Sequence, residues 1–158
     1  MNNASVGDVS DSQAQRNSLI PNAAASVATA QASNQSKNYK LDVSAMNLPK
    51  DSKVLVLALS PTCGYCTQSA PFYRELVKKA KSKNVKIFAI FSQQEEGGRE
   101  YLDGLQLNEI EVKPSSITNY PVQGTPSAVL FNSQGEFIQK WLGKLNPASE
   151  NEVIQSIF

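Results

Sequence analysis

The chain has two cysteines, Cys63 and Cys66, and their spacing is the first sign of chemistry in the sequence. A disulfide between such close neighbours would close a very small loop and remove little entropy from the unfolded chain, so a purely structural bridge is disfavoured. Structural zinc sites need four cysteine or histidine ligands, and iron–sulfur clusters normally need four thiolates. The chain has no histidine and only these two thiols. Thiol–disulfide exchange is the chemistry that remains, against the alternative of two incidental thiols.

The two cysteines follow a segment that is typical of a buried strand. Lys53–Leu59 is an almost unbroken apolar run, as expected of a central strand that is buried on both faces. After Cys63, apolar residues recur at helical spacing, which predicts a helix over about 64–82 with a kink at Pro71. Val85–Phe91 is predicted to be a second buried strand. Strand, helix and strand then form a βαβ unit, which should be right-handed.

Cys63 lies where the predicted strand ends and the predicted helix begins. The first turn of a helix exposes unpaired N–H groups and the positive end of the macrodipole. These groups stabilise a thiolate, so Cys63 should have a lowered pKa and act as the attacking sulfur. Cys66 lies one turn further along, beside Cys63 and more buried. It is therefore predicted to resolve the mixed disulfide that Cys63 forms with a substrate.

The rest of the chain predicts further elements of a single α/β domain. The glycine pair Gly97–Gly98 is expected to loosen the chain after the second strand. The elements expected beyond it are a short helix over 99–105, a short strand over 110–112, an antiparallel hairpin of strands over 127–131 and 136–142, and a last helix that begins at Pro147. Trp141, on the second hairpin strand, is expected to pack in the core rather than to contact substrate.

Residues 1–38 differ in composition from residues 39–158. Alanine, serine, asparagine and glutamine supply 25 of the 38 positions, and all twelve aromatic residues begin at Tyr39. Such a segment cannot bury enough apolar surface to offset its chain entropy, so it is predicted to be a disordered tail or linker ahead of the folded domain. We expect it to be a tether left after removal of an export signal or membrane anchor. The net charge of +1 gives no indication of binding to nucleic acid.

A proline precedes the first strand of the predicted hairpin, in the segment Gly124-Thr125-Pro126. Proline cannot donate a hydrogen bond to a sheet, so this position calls for a specialised turn or for a strand's first residue. A cis Thr125–Pro126 bond fits, and so does an ordinary trans turn. Physical reasoning alone leaves both open.

Two segments in register resemble the thioredoxin superfamily. One is Cys63-Gly64-Tyr65-Cys66 with Pro71 behind it, and the other runs from Tyr120 to Phe131. The resemblance covers residues 39–158 and implies a thioredoxin fold, with a central mixed sheet flanked by helices. It also implies that Pro126 is cis and lies against the cysteines, and that Thr125 offers its backbone to substrate. The chain is longer than a minimal thioredoxin between residues 91 and 120, which is similar to the helix–strand insertion of exported TlpA-like and ResA-like proteins.

The chain also departs from that family at positions that matter for acid–base chemistry. Thr62 replaces the usual tryptophan before the first cysteine. Leu57 occupies the place of the buried aspartate of cytosolic thioredoxins, and Ser69 the place of the ResA-like glutamate. The usual acid–base helper for Cys66 is therefore missing. The Gly64–Tyr65 dipeptide is similar to that of DsbC-type disulfide isomerases.

The resulting hypothesis is an enzyme that exchanges disulfides with cysteine-containing client proteins outside the cytoplasm. Cys63 and Cys66 would carry the reaction, and Thr125, Pro126 and Tyr65 would contact the client, although Tyr65 could equally pack on the rim. The cysteine pair is itself the redox centre, so no metal or other cofactor is implied. An upstream partner, such as a membrane electron carrier, would recharge the pair. The alternatives are a thioredoxin-fold binding module, a disulfide isomerase or chaperone without fast redox turnover, and a cytoplasmic location.

Overall fold

A parallel pair of strands at the centre of the sheet carries the segment that leads to the cysteines. In the computed structural model, which describes residues 38–92 and 95–158, β1 (Lys53–Leu59) pairs in parallel with β2 (Val85–Phe91). The side chains of residues 54–59 are fully buried. A strand with neighbours on both edges and cover on both faces has no solvent-facing positions, which explains its unbroken apolar run. Both strands are confirmed with the predicted bounds.

The sheet has five strands in the order β3-β2-β1-β4-β5. The remaining strands are β3 (Glu111–Ser116), β4 (Ser127–Asn132) and β5 (Phe137–Leu142). The helices are α1 (Gly64–Gln68), α2 (Ala70–Ala80), α3 (Glu95–Gly104) and α4 (Pro147–Ile157), with a 3₁₀ turn over Ile117–Asn119. β3 is parallel to β2, whereas β4 is antiparallel to β1 and β5. The sheet is therefore mixed, and the predicted hairpin of β4 and β5 is confirmed.

The two faces of β1 belong to two separate hydrophobic clusters. Leu55, Leu57 and Leu59 point to the first face, where they join side chains of α2, α3 and α4. Val54, Val56 and Ala58 point to the second face, together with Phe88, Ile90, Val129 and Phe131. Among the described residues this second face is covered by an irregular segment over 39–48 and by residues 117–122 rather than by α1–α4. Side chains alternate between faces along a strand, so one apolar run serves both clusters.

The single helix predicted over 64–82 is wrong, since the structure has two helices. α1 ends at Gln68, and Ser69 separates it from α2, in which Pro71 lies in the first turn. Proline has no N–H to donate to a preceding turn and its ring crowds that turn, but it is well suited to the start of a helix. The chain therefore begins a new helix at Ala70 instead of bending one helix at Pro71. α2 ends at Ala80, two residues before the predicted end.

The prediction that Gly97–Gly98 loosens the chain is also wrong, because both glycines lie within α3. The helix begins at Glu95, ahead of the predicted 99–105. Gly98 packs so closely on the Phe91 ring that a β-carbon there would lie 2.5 Å from Phe91 Cδ2. Glycine is needed at this position for close packing of helix on strand rather than for flexibility.

Two other strand bounds differ from the sequence predictions. The strand predicted over 110–112 begins one residue later and extends to Ser116 through Pro114, which an edge strand tolerates because one side of its ladder is unpaired. β5 begins at Phe137, and Glu136 instead forms an isolated bridge with Lys40. No helix in the described part of the chain is long and apolar enough to cross a membrane. Apart from Asn38, the tail predicted at residues 1–38 lies outside the described residues.

Candidate active site

Cys63 is the N-cap residue of α1, at the carboxyl end of β1. Its backbone is extended, with φ −90° and ψ 106°, and its Sγ accepts a hydrogen bond from the Cys66 backbone N–H at 3.3 Å. The predicted position at a strand-to-helix junction is confirmed. α1 has only five residues, so the positive field at Cys63 comes from the N–H groups of that first turn rather than from a long helix.

Cys66 lies one turn into α1 and is completely buried, whereas Cys63 is partly exposed. Both residues are free thiols. Leu57 and Phe72 belong to the same apolar cluster as Cys66. The pair therefore presents one sulfur to solvent and keeps the other in the core, as an attacking and a resolving thiol require.

The surroundings push the pKa values of the two cysteines in opposite directions. Burial raises the pKa of the Cys63 thiol, but hydrogen bonding with Cys66, with the Thr125 side chain and with the backbone of Tyr65 outweighs it, so the pKa is lowered overall. Burial raises the pKa of Cys66 to about 12, and its hydrogen bond to Cys63 adds to the effect. Cys63 is therefore the cysteine that forms a thiolate more readily, and Cys66 is the one that more readily keeps its proton.

The rate at which Cys63 is alkylated is expected to titrate below the ~8.5 of an unperturbed thiol. Only the thiolate reacts, so the rate rises as the pH increases through the pKa, and a lowered pKa moves that rise to lower pH. The measurement is the iodoacetamide rate from pH 5 to 10 in the Cys66→Ser variant, where Cys63 is the only thiol. Free cysteine serves as the reference. A midpoint at or above that of free cysteine would contradict the assignment.

A loop from distant sequence meets Cys63. The Cys63 thiol donates to the Thr125 carbonyl oxygen at 3.5 Å across 62 positions of sequence. The Thr125–Pro126 peptide bond is cis, which settles the alternative that physical reasoning had left open. The loop is held by hydrogen bonds from Gly143 N to Pro126 O at 2.7 Å and from Ser127 Oγ to Gly124 O at 2.6 Å. Thr125 therefore presents its backbone beside the Cys63 sulfur.

Two exposed apolar side chains lie on or beside the segments that meet at Cys63. Tyr65, between the cysteines, is 62% exposed, so of its two predicted environments the structure has the solvent-facing one. Leu142, at the end of β5, is 52% exposed and lies beside Gly124, whose β-carbon would be 3.9 Å from Leu142 Cδ1. Leu142 was not among the site residues predicted from the sequence. The sequence feature that could have identified Leu142 is an apolar residue at an outward-facing strand position, next to the inward-facing Trp141.

Leu57 and Ser69, which stand where related proteins have an aspartate and a glutamate, are buried in this structure. Leu57 is packed in the core, and the Ser69 hydroxyl donates to the Tyr65 carbonyl oxygen at 2.8 Å. Two phenols that were not predicted from the sequence lie within electrostatic range of the cysteines. Burial raises the pKa of both Tyr73 and Tyr101, and charge on Cys66 raises it further. The Tyr101 hydroxyl also hydrogen-bonds the Thr67 hydroxyl at 3.0 Å, which joins α3 to α1.

Comparison with known proteins agrees with this arrangement. The family model described as Redoxin matches residues 15–107. Among solved structures, a candidate thiol:disulfide interchange protein DsbE from Chlorobium tepidum is 24% identical, with a TM-score of 0.57 over 68% of this chain and 79% of that one. The thioredoxin domain of a thiol-disulfide oxidoreductase from Bacteroides vulgatus is 18% identical, with a TM-score of 0.55 over 69% and 81%.

A secreted disulfide oxidoreductase of Mycobacterium tuberculosis is 15% identical, with a TM-score of 0.53 over 68% of this chain and 81% of that one. No curated protein sequence matches the chain. At these identities the solved structures establish the fold. The thioredoxin fold expected from the two motifs is confirmed.

Proposed function

The chain belongs to the Redoxin family and is a thioredoxin-like thiol–disulfide oxidoreductase, and on that premise we propose that it exchanges disulfides with client proteins through Cys63 and Cys66. The observation that carries the proposal is the N-cap position of Cys63. Its sulfur is partly exposed and accepts the Cys66 N–H at 3.3 Å, while Cys66 is buried beside it. The proposed attacking residue, Cys63, and the proposed resolving residue, Cys66, are therefore one helical turn apart.

The proposed cycle begins with the Cys63 thiolate, which attacks one sulfur of a client disulfide. The client disulfide breaks, a mixed disulfide forms with Cys63, and one client sulfur leaves as a thiolate that takes up a proton. Cys66 then loses its proton and attacks the Cys63 sulfur, which releases the second client thiol and oxidises the pair to a disulfide. The reverse sequence donates a disulfide to a reduced client.

The client is proposed to lie across the cis-Pro loop in an extended conformation. Thr125 is beside the reacting sulfur, and its backbone can pair with a client segment as a neighbouring strand would. Pro126 is buried beneath it. Tyr65 on one side and Leu142 on the other supply apolar contacts to the residues that flank the client cysteine. Backbone pairing makes no demand on client sequence, which suits an enzyme that acts on several proteins.

We further propose an extracytoplasmic location and an upstream redox partner, such as a membrane electron carrier. The support for the location is the similarity to a protein described as secreted and to a DsbE-type interchange protein. The predicted tether at residues 1–38 is consistent with attachment of the domain near a membrane. A pair that is oxidised in each cycle needs a source of electrons for the next, and that source is the proposed partner's role.

The proposed function is tested by insulin reduction with dithiothreitol as the electron donor. We expect catalytic amounts of the protein to accelerate the precipitation of insulin chains, and the Cys63→Ser variant to give only the uncatalysed rate. Circular dichroism of the variant serves to check that it is folded. A thioredoxin-fold binding module would hold insulin without accelerating its reduction, so an unchanged rate with wild-type protein would favour that alternative and reject the proposal.

A further inference from the structure

Three segments of the chain are joined to one another around the cysteine pair. α1 carries both cysteines, and the cis-Pro loop contacts the first of them. The turn that follows β5 is fastened to the loop by the hydrogen bond from Gly143 N to Pro126 O at 2.7 Å. The same turn is fastened to α1, because Lys144 Nζ donates a hydrogen bond to Gln68 Oε1 at 3.0 Å. It therefore borders the place where a client segment would lie.

Four exposed side chains of α1 and of this turn make up what we call the α1–β5 rim: Tyr65, Gln68, Leu142 and Lys144. Tyr65 and Gln68 are three positions apart on α1, so they lie on the same side of that helix. Leu142 and Lys144 flank Gly143, which is bonded to the loop. The rim therefore combines two large apolar side chains with one amide and one ammonium group.

The Lys144 ammonium group is the only charged side chain in these segments. Residues 60–68, 120–126 and 142–146 contain this one lysine and no arginine, aspartate or glutamate. Its hydrogen-bond partner, the Gln68 amide, is neutral. In the described part of the chain, ion pairs with carboxylates are formed instead by four other lysines, which are Lys79, Lys81, Lys86 and Lys113. The positive charge of Lys144 is thus not balanced by a carboxylate of the described residues.

The hydrogen bond to Gln68 also limits where the ammonium group can lie. A lysine side chain loses much conformational entropy when it is held in one place. Here part of that loss has already occurred in the free protein, so an incoming anion meets a cation that is already positioned. An ammonium group has three donors, and the bond to Gln68 uses one of them. Lys144 can therefore bind a carboxylate without leaving Gln68.

We propose that the α1–β5 rim selects client segments that carry an acidic residue close to the attacked cysteine, and that Lys144 determines this preference. The inference rests on the proposed function above and names the class of client. An apolar client side chain would contact Tyr65 and Leu142, while a client carboxylate would accept a hydrogen bond from Lys144 Nζ. Charge complementarity of this kind acts on client association, so the preference belongs in kcat/KM. Lys144 takes no part in the bonds that form and break.

The test compares the reduction of peptide disulfides that differ in one charge. Each substrate is a peptide with a single cysteine, joined by a disulfide to an identical copy. It carries glutamate, glutamine or lysine at one of three positions on either side of the cysteine. Dithiothreitol supplies the electrons, and chromatography measures the peptide thiol released above the uncatalysed rate.

At low ionic strength we expect the wild-type kcat/KM at the best position to be about threefold higher with glutamate than with glutamine. With lysine it should be about threefold lower than with glutamine, as for one exposed ion pair and the corresponding repulsion. The ratio of kcat/KM for the glutamate and lysine peptides is then about tenfold. It should approach one in about 1 M salt, where charges are screened within about 3 Å.

Variants at Lys144 and Gln68 locate the preference. Lys144→Gln should bring the glutamate-to-lysine ratio of kcat/KM close to one, and Lys144→Glu should reverse it. Gln68→Glu places a carboxylate beside Lys144 that competes with the client, so it should also lower the ratio. Because each ratio is measured on one variant with two substrates, a general loss of activity or stability cancels from it.

Lys78→Glu is the matched control, since Lys78 is an exposed residue of α2 outside the three segments and its replacement changes the net charge by the same amount as Lys144→Glu. This variant should keep the wild-type ratio. A wild-type ratio near one at every position, a ratio that Lys144→Glu leaves unchanged, or an equal shift with Lys78→Glu would overturn the inference. A wild-type protein that accelerates the reduction of none of the peptides would instead contradict the proposed function itself.

Discussion

Replacement of Cys66 by serine is expected to leave clients covalently attached to Cys63 and to stop turnover. The Cys63 thiolate still attacks, since the backbone N–H of residue 66 is unchanged by the substitution and the serine hydroxyl can donate to the sulfur in place of the Cys66 thiol. The resolving sulfur is gone, so the mixed disulfide persists until an external thiol reaches it. An intramolecular attack has an effective concentration far above that of any external thiol, so insulin reduction should fall by at least about a hundredfold.

The measurement is a non-reducing gel of the variant after incubation with oxidised insulin, followed by mass spectrometry. A band shifted by the mass of insulin, whose chains stay joined by their second interchain disulfide, should appear with Cys66→Ser and collapse on addition of dithiothreitol. Cys63→Ser is the matched control and should form no adduct, because the remaining Cys66 is buried and its pKa is raised to about 12. Adducts with Cys63→Ser but not with Cys66→Ser would reverse the assignment of the two sulfurs.

Replacement of Gly135 by alanine is expected to destabilise the whole domain. Gly135 has φ +80°, and a β-carbon there would lie 2.0 Å from the Leu41 carbonyl oxygen. The backbone would have to move, which endangers the 2.7 Å hydrogen bond from Leu41 N to Gly135 O that fastens the segment over 39–48 to the hairpin. Strain and the lost contacts together should cost on the order of 3 kcal/mol and lower Tm by roughly 10 °C.

Gly104→Ala is the control for this prediction. Gly104 lies at the end of α3, and a β-carbon there would have no atom within 4 Å. Alanine favours helix over glycine by about 1 kcal/mol, so Tm should stay the same or rise slightly. Thermal unfolding by circular dichroism measures both variants. An equal, small effect of the two substitutions would show that the close approach of Leu41 to Gly135 does not contribute to stability.

Local sequence was sufficient where an element is defined by its own periodicity. The apolar runs of β1 and β2 predicted both strands with their bounds, and the position of the cysteine pair after β1 was correctly predicted to be the start of a helix. Breaks between helices were harder to predict from the sequence, because Pro71 is compatible both with a kinked helix and with the start of a new one. Only the packed structure, with Ser69 between α1 and α2, decides between them.

Glycine was misinterpreted for a related reason. Gly97–Gly98 has a low intrinsic helix propensity, but Gly98 lies against Phe91 in a space that no side chain could share. The absence of a β-carbon favours a loop when the segment is considered alone, but it permits close packing of helix on strand in the folded domain. The residue that makes close packing necessary is Phe91 on β2, and the tertiary structure is needed to show that it lies against Gly98.

By itself, the sequence determined the groups on which the proposed chemistry depends: two thiols one helical turn apart, with the first at the start of a helix. The tertiary structure decided what surrounds them. Thr125 reaches Cys63 from 62 positions away, and residue spacing alone did not distinguish a cis from a trans bond in that loop. The exposure of Leu142 and the hydrogen bond between Lys144 and Gln68 likewise depend on which elements pack together. Periodicity encodes which face of an element is apolar, but the partner of that face is set by the packing of the whole chain.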